Sequence, residues 1–137
     1  MNNEIILEQI LDEARVYRSL SYDISASWNT VLKWKHISQA ELSRKTGLTE
    51  KSISLIVNGQ RSGSIENIVL LCLAANLPRE ISEHLIRISG HSLTMSNEEH
   101  VVYNYLLTHK STESLTDIRQ FLIDIGSEMY MKIPVNI

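Results

Sequence analysis

Residues 38–59 contain the start and stop signals of two short helices with only about three residues between them. Ser38-Gln39-Ala40-Glu41 is a capping-box pattern, in which the serine accepts from the backbone N–H three residues on and Glu41 reaches back. Gly47 stands where a helix ends in the left-handed conformation that glycine tolerates best. Thr49 is a good N-cap for a second helix, which ends at Asn58-Gly59. The pattern predicts a helix, a tight turn and a second helix.

The residues of this segment divide into an inward and an outward set. Four apolar side chains are placed to give the two helices a shared core, and Ser43 is small enough for the second helix to cross closely. The core set is Leu42, Leu48, Ile53 and Ile56; the outward polar set is Gln39, Thr49, Glu50, Lys51, Ser52, Ser54 and Asn58. A second helix presented in this way fits the major groove, with its N-terminal residues toward the base edges. We therefore predict a helix-turn-helix over roughly residues 38–58 that binds double-stranded DNA.

The rest of the chain also has helical periodicity. Two prolines and five glycines in 137 residues favour long helices over a turn-rich β fold, and no stretch has a strand pattern. Further helices are predicted over residues 3–18, 27–36, 65–76, 79–89, 97–109 and 114–126, with a Ser-rich connector over 19–26 and a second capping box starting at Ser96. We expect an all-α fold with an N-terminal helix (1–24), a helix-turn-helix DNA-binding domain (25–92) and a C-terminal helical extension (93–137).

Charge is distributed unevenly along the chain, whose net charge is −3. Residues 33–63 carry six basic and two acidic side chains, whereas the flanking regions are acidic. The basic residues are Lys33, Lys35, Arg44, Lys45, Lys51 and Arg61. A basic segment inside an acidic chain indicates one confined surface for a polyanion. The alternative is a solvated face without a partner.

Several classes of protein are disfavoured. No apolar run approaches the ~18–20 residues that cross a bilayer, the N-terminus lacks the positive start of a secretory signal, and Cys72 has no second cysteine to pair with. We expect a cytoplasmic protein without a membrane partner. The five histidines form no tight zinc pattern, and neither a phosphate loop nor a catalytic constellation is present. We therefore expect the protein not to be an enzyme and to bind no metal or cofactor. We expect Cys72 to lie in the core.

The helix-turn-helix segment resembles the lambda-repressor-like, or Xre-type, family over about residues 27–77. The resemblance rests on Gln39, Leu42, Gly47-Leu48-Thr49, Ile53-Ser54, Asn58-Gly59, Arg61 and a following helix that begins at Ile65. It implies a bundle of about five helices that binds operator DNA, often as a dimer. By the same resemblance, Gln39 contacts phosphate or anchors the first helix. Glu50, Lys51 and Leu55 face bases, whereas Asn58, Gln60 and Arg61 contact the DNA backbone.

Four residues or short segments depart from the family pattern. Ser43 replaces the usual alanine, which its small size tolerates. Ser62-Gly63-Ser64 stands where a proline is frequent, so a more mobile loop is expected there. Leu55 is apolar and either meets a thymine methyl or belongs to the core. Glu50 is acidic and repels phosphate.

These features predict a sequence-specific transcriptional regulator, of repressor type, that acts by occupying an operator. The alternative is a protein-interaction module, such as an antitoxin, that binds a protein partner through its C-terminal helices. The apolar stripes of residues 97–109 and 114–126 need a partner surface: either they form a homodimer, or they pack on the bundle and on helix 3–18. Trp34 lies off its own helix stripe, and its role is left open between an exposed rim and an interface.

Overall fold

The computed structural model of the chain describes residues 2–135. Within this range the chain forms eight α-helices, one short 3₁₀-helix and no strand, which confirms the all-α prediction. The α-helices are α1 (Asn3–Ser19), α2 (Ile24–Trp34), α3 (Gln39–Thr46), α4 (Glu50–Val57), α5 (Ile65–Ala74), α6 (Arg79–Ile88), α7 (Glu98–His109) and α8 (Leu115–Asp124); the 3₁₀-helix is Glu128–Tyr130. None of the helices in residues 2–135 is long and apolar enough to cross a membrane.

Helix α5 lies at the centre of the molecule. Every residue from 68 to 74 is buried, because α3, α6 and α7 all pack around this helix. A helix that is apolar on all sides is stable only when it is surrounded in this way. Helix α4 in turn packs against both α3 and α2. The central helix therefore supports the helix-turn-helix from behind.

The C-terminal helices share this core. Tyr103, Leu106 and Leu107 of α7 are buried, as are Ile118 and Leu122 of α8. The sequence left two uses open for their apolar stripes, and the structure shows that part of each stripe packs in the bundle core. The exposed apolar side chains that remain on these helices are Val101, Tyr105 and Ile125. The division into three domains stays a prediction.

Helix α1 packs in a different way. None of its 17 residues is buried, and it lies mainly against α2 through the half-buried Val16 and Leu20. The Trp34 indole Nε1 donates to Asp12 Oδ2 at 2.8 Å, which joins α2 to the middle of α1. Trp34, whose role the sequence left open, is thus a half-buried contact between helices.

Two predicted helix starts are wrong. Helix α2 begins at Ile24 instead of about residue 27, because the Asp23 carboxylate accepts from the Ala26 N–H at 2.7 Å and caps it. The cap of α7 is Asn97, whose side chain accepts from the His100 N–H at 3.2 Å, instead of Ser96. In both cases a neighbouring Asp or Asn side chain reaches the free N–H groups of the first turn.

The segment after α8 packs on the bundle, although no sequence pattern predicted it. Met131 and Ile133 are buried, and the Tyr103 hydroxyl donates to the Tyr130 carbonyl at 2.6 Å. The Lys132 N–H donates to the Glu66 carboxylate of α5 at 3.2 Å. This tail closes one side of the bundle.

Candidate nucleic-acid interface

The turn between α3 and α4 is fixed by hydrogen bonds that are local in sequence. Gly47 has a φ of +77°, and its N–H donates to the Ser43 carbonyl at 2.9 Å. The Ser43 hydroxyl donates to the Leu48 carbonyl at 2.6 Å, while the Thr46 hydroxyl accepts from the Leu48 N–H at 3.2 Å. From the sequence, Ser43 was expected to matter only for its small size. The serine in place of alanine also ties the end of the turn to α3.

The tail described above also reaches this turn. A Cβ atom at position 47 would lie 3.3 Å from Pro134 Cγ, so a side chain there would press on the tail. Because a positive φ is in addition strained for residues other than glycine, two independent constraints hold glycine at position 47. The C-terminal segment therefore supports the helix-turn-helix directly.

Helix α4 has one buried and one outward side. Ile53, Ile56 and Val57 are buried against α3, whose Leu42 is also buried. Residues at spacings of three and four share a face of a helix, and the opposite face carries Lys51, Leu55 and Asn58 at such spacings. The buried side holds α4 in place and leaves these three side chains on its outer face.

The N-terminus of α4 is capped by its own residues. Thr49 Oγ1 accepts from the Ser52 N–H at 3.1 Å and donates to Ser52 Oγ at 3.0 Å. These two hydroxyls are thus engaged with each other. Glu50 and Lys51, which follow the cap, are exposed. The cap fixes the backbone from which these two side chains project.

The C-terminus of α4 leads into a closed turn. The Leu55 carbonyl accepts from the N–H groups of Gln60 at 2.9 Å and Arg61 at 3.1 Å. Asn58 Nδ2 donates to Ser54 Oγ at 3.2 Å. Because the turn is tied back to α4, the exposed side chains of Gln60 and Arg61 are held beside Asn58 at the end of this helix.

The loop that follows is anchored, contrary to the expectation of a more mobile segment. Gly63 is buried, and its carbonyl accepts from His91 Nε2 at 2.7 Å. A Cβ atom at this position would lie 3.0 Å from Ile68 Cδ1 and 3.2 Å from Ile56 Cδ1. The absence of a side chain lets the loop approach α4 and α5 closely.

None of the ten residues predicted to contact DNA is buried. Six are exposed: Thr49, Glu50, Lys51, Asn58, Gln60 and Arg61. Four are half-buried: Gln39, Ser52, Ser54 and Leu55. The structure brings nine of them together on α4 and its two flanking turns, while Gln39 begins α3. Leu55 is not one of the partly buried side chains that pack against the core, which leaves it free to face outward.

The basic segment is less uniform in space than in sequence. Lys35 Nζ lies 5.0 Å from the centre of the Trp34 ring, and Lys45 Nζ donates to the Ala74 carbonyl at the end of α5 at 3.5 Å. Lys35 is thus directed toward a side chain of its own helix, α2, whereas Lys45 is directed toward α5. Lys33, Arg44, Lys51 and Arg61 are exposed, and Lys51 and Arg61 stand at opposite ends of α4.

Comparison with known proteins agrees with this geometry. Residues 30–81 match the family described as Helix-turn-helix, and the match includes α3, the turn and α4. This match covers a little more than a third of the chain, and it confirms the resemblance of this segment to the Xre-type helix-turn-helix family. Members of that family are DNA-binding regulators, typically without enzymatic activity. Searches of the curated proteins and of the solved structures found no match.

Cys72 and His84, two potentially reactive side chains outside the helix-turn-helix, are both buried in the bundle. Cys72 is fully buried in α5, and burial raises the pKa of its thiol to about 12. His84 of α6 is also buried, and its Nε2 lies 2.7 Å from the Ser21 carbonyl, to which it donates. Both residues thus help to hold the bundle. Residues 2–135 bring together no group of three His, Cys, Asp or Glu side chains that would hold a metal ion.

Proposed function

We propose that this chain is a sequence-specific transcriptional regulator, of repressor type, that occupies double-stranded operator DNA. The observation that carries the proposal is the outward face of α4. Its opposite face is buried, its first turn is capped, and the turn after it is tied back to the helix. A rigid helix that presents Lys51, Leu55 and Asn58 suits insertion into the major groove.

The contacts divide into base readout and backbone binding. Lys51 donates to guanine O6 or N7, Glu50 accepts from cytosine N4, and Leu55 contacts a thymine methyl group. Asn58, Gln60 and Arg61 contact phosphates, as does Gln39 at the start of α3. Thr49, Ser52 and Ser54 serve mainly to hold the helix, because their hydroxyls bond within α4 and its cap.

We further propose that the regulator acts in the cytoplasm as a homodimer. A two-fold dimer places two copies of α4 about 34–36 Å apart, which is one turn of DNA. Paired half-sites raise affinity through effective concentration, without new base contacts. The antitoxin alternative depends on C-terminal apolar stripes that are free for a protein partner. Because Leu106, Leu115, Ile118 and Leu122 of these stripes are buried in the bundle, less of this surface is free for a partner. We therefore favour the regulator.

The decisive experiment is a gel shift of the full chain on its own upstream region, followed by fluorescence anisotropy across a salt series. With about four to six phosphate contacts, the logarithm of affinity falls against the logarithm of salt with a slope on the order of −4 to −5 per subunit. Arg61→Ala is expected to make the slope shallower by about 1. Arg119→Ala, on helix α8 outside the helix-turn-helix, is the matched control and leaves it unchanged. A salt-independent affinity contradicts the proposal.

A further inference from the structure

Helix α1 exposes several apolar side chains that no other part of the described chain covers. All residues from 2 to 13 are exposed. Five large aliphatic side chains in this stretch are between 41 and 58% exposed: Ile5, Ile6, Leu7, Ile10 and Leu11. A helix of this length is marginally stable in water unless an apolar face is packed. We therefore expect the exposed apolar side chains of α1 to be covered by a binding partner.

One side of this exposed helix carries a continuous apolar stripe that borders a groove. Leu7, Ile10, Ala14 and Tyr17 follow one another at spacings of three, four and three, which is the seam pattern of paired helices. The last three also line a groove of about 260 Å³ whose other wall is the start of α6, with Pro78 and Ile81. A second helix laid along the stripe would rest partly in this groove.

The charges along α1 identify the occupant and its direction. Glu4, Glu8, Asp12 and Glu13 lie in the first three turns, and Arg15 and Arg18 follow them. If two copies of α1 lie antiparallel and centred near Leu11, Glu4 of each copy faces Arg18 of the other, and the two Leu11 side chains meet. A parallel pair would instead bring the acidic halves together. The same acidity excludes DNA as the occupant.

The surface that two copies of α1 can bury is also large enough for a specific interface. Without Ile5, which lies on the opposite side of α1, the exposed parts of Ile6, Leu7, Ile10 and Leu11 amount to roughly 350 Å² per copy, or about 700 Å² for two. Tyr17, Arg18 and the groove wall of α6 bring the total to about the 1,000 Å² that a specific interface requires. A two-fold pair uses the same patch on both copies, so one self-complementary stripe is enough.

We propose that α1 pairs antiparallel with α1 of a second copy of this chain, and that each helix lies against the α1–α6 groove of the other. This pairing supplies the interface of the homodimer proposed above for the regulator, and it rests on that proposed function. It assigns dimerisation to the N-terminal helix, whereas the sequence had pointed to the C-terminal helices.

The first test measures the oligomeric state of the full chain by sedimentation equilibrium without DNA. The wild type is expected to dimerise with a Kd on the order of 10 µM. Ile10→Arg, on the stripe, is expected to raise Kd at least about a hundredfold, since it places two cations in the seam. Ile5→Arg adds the same charge at an exposed position on the opposite side of α1 and leaves Kd unchanged. Because both positions are exposed, both variants keep the wild-type circular dichroism.

The second test examines direction through charge exchange. Glu4→Arg and Arg18→Glu each raise Kd roughly tenfold at low salt, because each places like charges opposite one another. The double variant Glu4→Arg/Arg18→Glu restores the wild-type value. A wild-type chain that is monomeric at about 200 µM overturns the proposal, as does a dimer whose Kd is unchanged by Ile10→Arg. A double variant that dimerises no better than the single variants overturns the antiparallel arrangement.

These outcomes are separable from those of the proposed function. Ile10→Arg is expected to bind a single half-site as the wild type does, because α1 is distinct from α4. A protein that dimerises through α1 but binds no DNA contradicts the regulator and leaves the pairing intact. A protein that binds its operator as a monomer contradicts the pairing alone.

Discussion

Lys51 is the side chain on which base preference is expected to depend most. It is exposed in the first turn of α4, on the face opposite the buried Ile53 and Ile56. We predict that Lys51→Ala weakens binding to the preferred site by about 1–3 kcal/mol and relaxes the preference at one base pair. Competition binding against a set of single-base variants measures both effects. An equal loss on every sequence would assign Lys51 to a phosphate instead.

Glu50 is the natural comparison, since it is the adjacent exposed residue with the opposite charge. Removing its carboxylate takes a negative charge away from the DNA, so Glu50→Ala is expected to raise affinity for random DNA while lowering discrimination between sites. The same competition experiment reads out both quantities. If neither changes, Glu50 acts only as a favourable charge at the start of α4.

Cys72 is expected to be inert in the folded protein. Its side chain is fully buried, and burial raises the pKa of its thiol to about 12, so the reactive thiolate is scarce throughout the neutral and mildly alkaline range. We predict that a thiol reagent modifies native protein only as fast as the protein opens, and modifies denatured protein at once. Rapid modification under native conditions would show that α5 is accessible.

At the scale of the helix, the cap of α4 links stability to DNA binding. Thr49→Ala removes the hydrogen bond to the Ser52 N–H and is expected to cost about 1 kcal/mol of unfolding free energy. It also loosens the turn that carries Glu50 and Lys51, so DNA affinity falls several-fold. Ser114→Ala is the matched control, because Ser114 caps α8 through the Asp117 N–H at 3.2 Å. Urea titration and anisotropy should show equal losses of stability, with a loss of affinity only for Thr49→Ala.

Helices were the easiest feature to predict because their signals are local. Ser38, Gly47 and Thr49 act within four residues of themselves, and the structure places all three at the predicted ends. Features that depend on distant partners were missed. Asn76 donates to the carbonyls of Ser111 and Glu113, 35 and 37 residues away, and nothing near Asn76 in the sequence indicates this.

In the candidate site, too, some features could be predicted from the sequence and others could not. The outward face of α4 follows from helical periodicity, so the exposed positions could be found without a structure. The contact of Pro134 with the turn at Gly47 could not, because it joins residues that are far apart in the chain. Periodicity also shows that an apolar stripe requires burial but does not identify its partner. This is why the sequence left two uses open for the stripe of α7.

At the scale of the whole molecule, the helix-turn-helix and the C-terminal helices are expected to fold as one cooperative unit. Truncation after residue 94 removes Tyr103, Leu106 and Leu107 from α7 and uncovers one side of α5. It also removes the partners of Asn76 and Glu66. Each fully buried apolar side chain contributes about 1.5–3 kcal/mol, so the loss approaches the whole stability of a typical domain.

We therefore predict that the protein truncated after residue 94 lacks a cooperative thermal transition and binds DNA weakly or not at all. The full-length variant Tyr103→Ala is expected to be destabilised by several kcal/mol in the same direction, since its ring is buried and its hydroxyl holds the tail through the Tyr130 carbonyl. Val101→Ala, at an exposed position of the same helix, should shift the transition little. Circular dichroism melts of the three proteins decide the matter. A truncated protein that melts cooperatively near the full-length temperature would mean that residues 1–94 fold alone and that α7 and α8 form a separate unit.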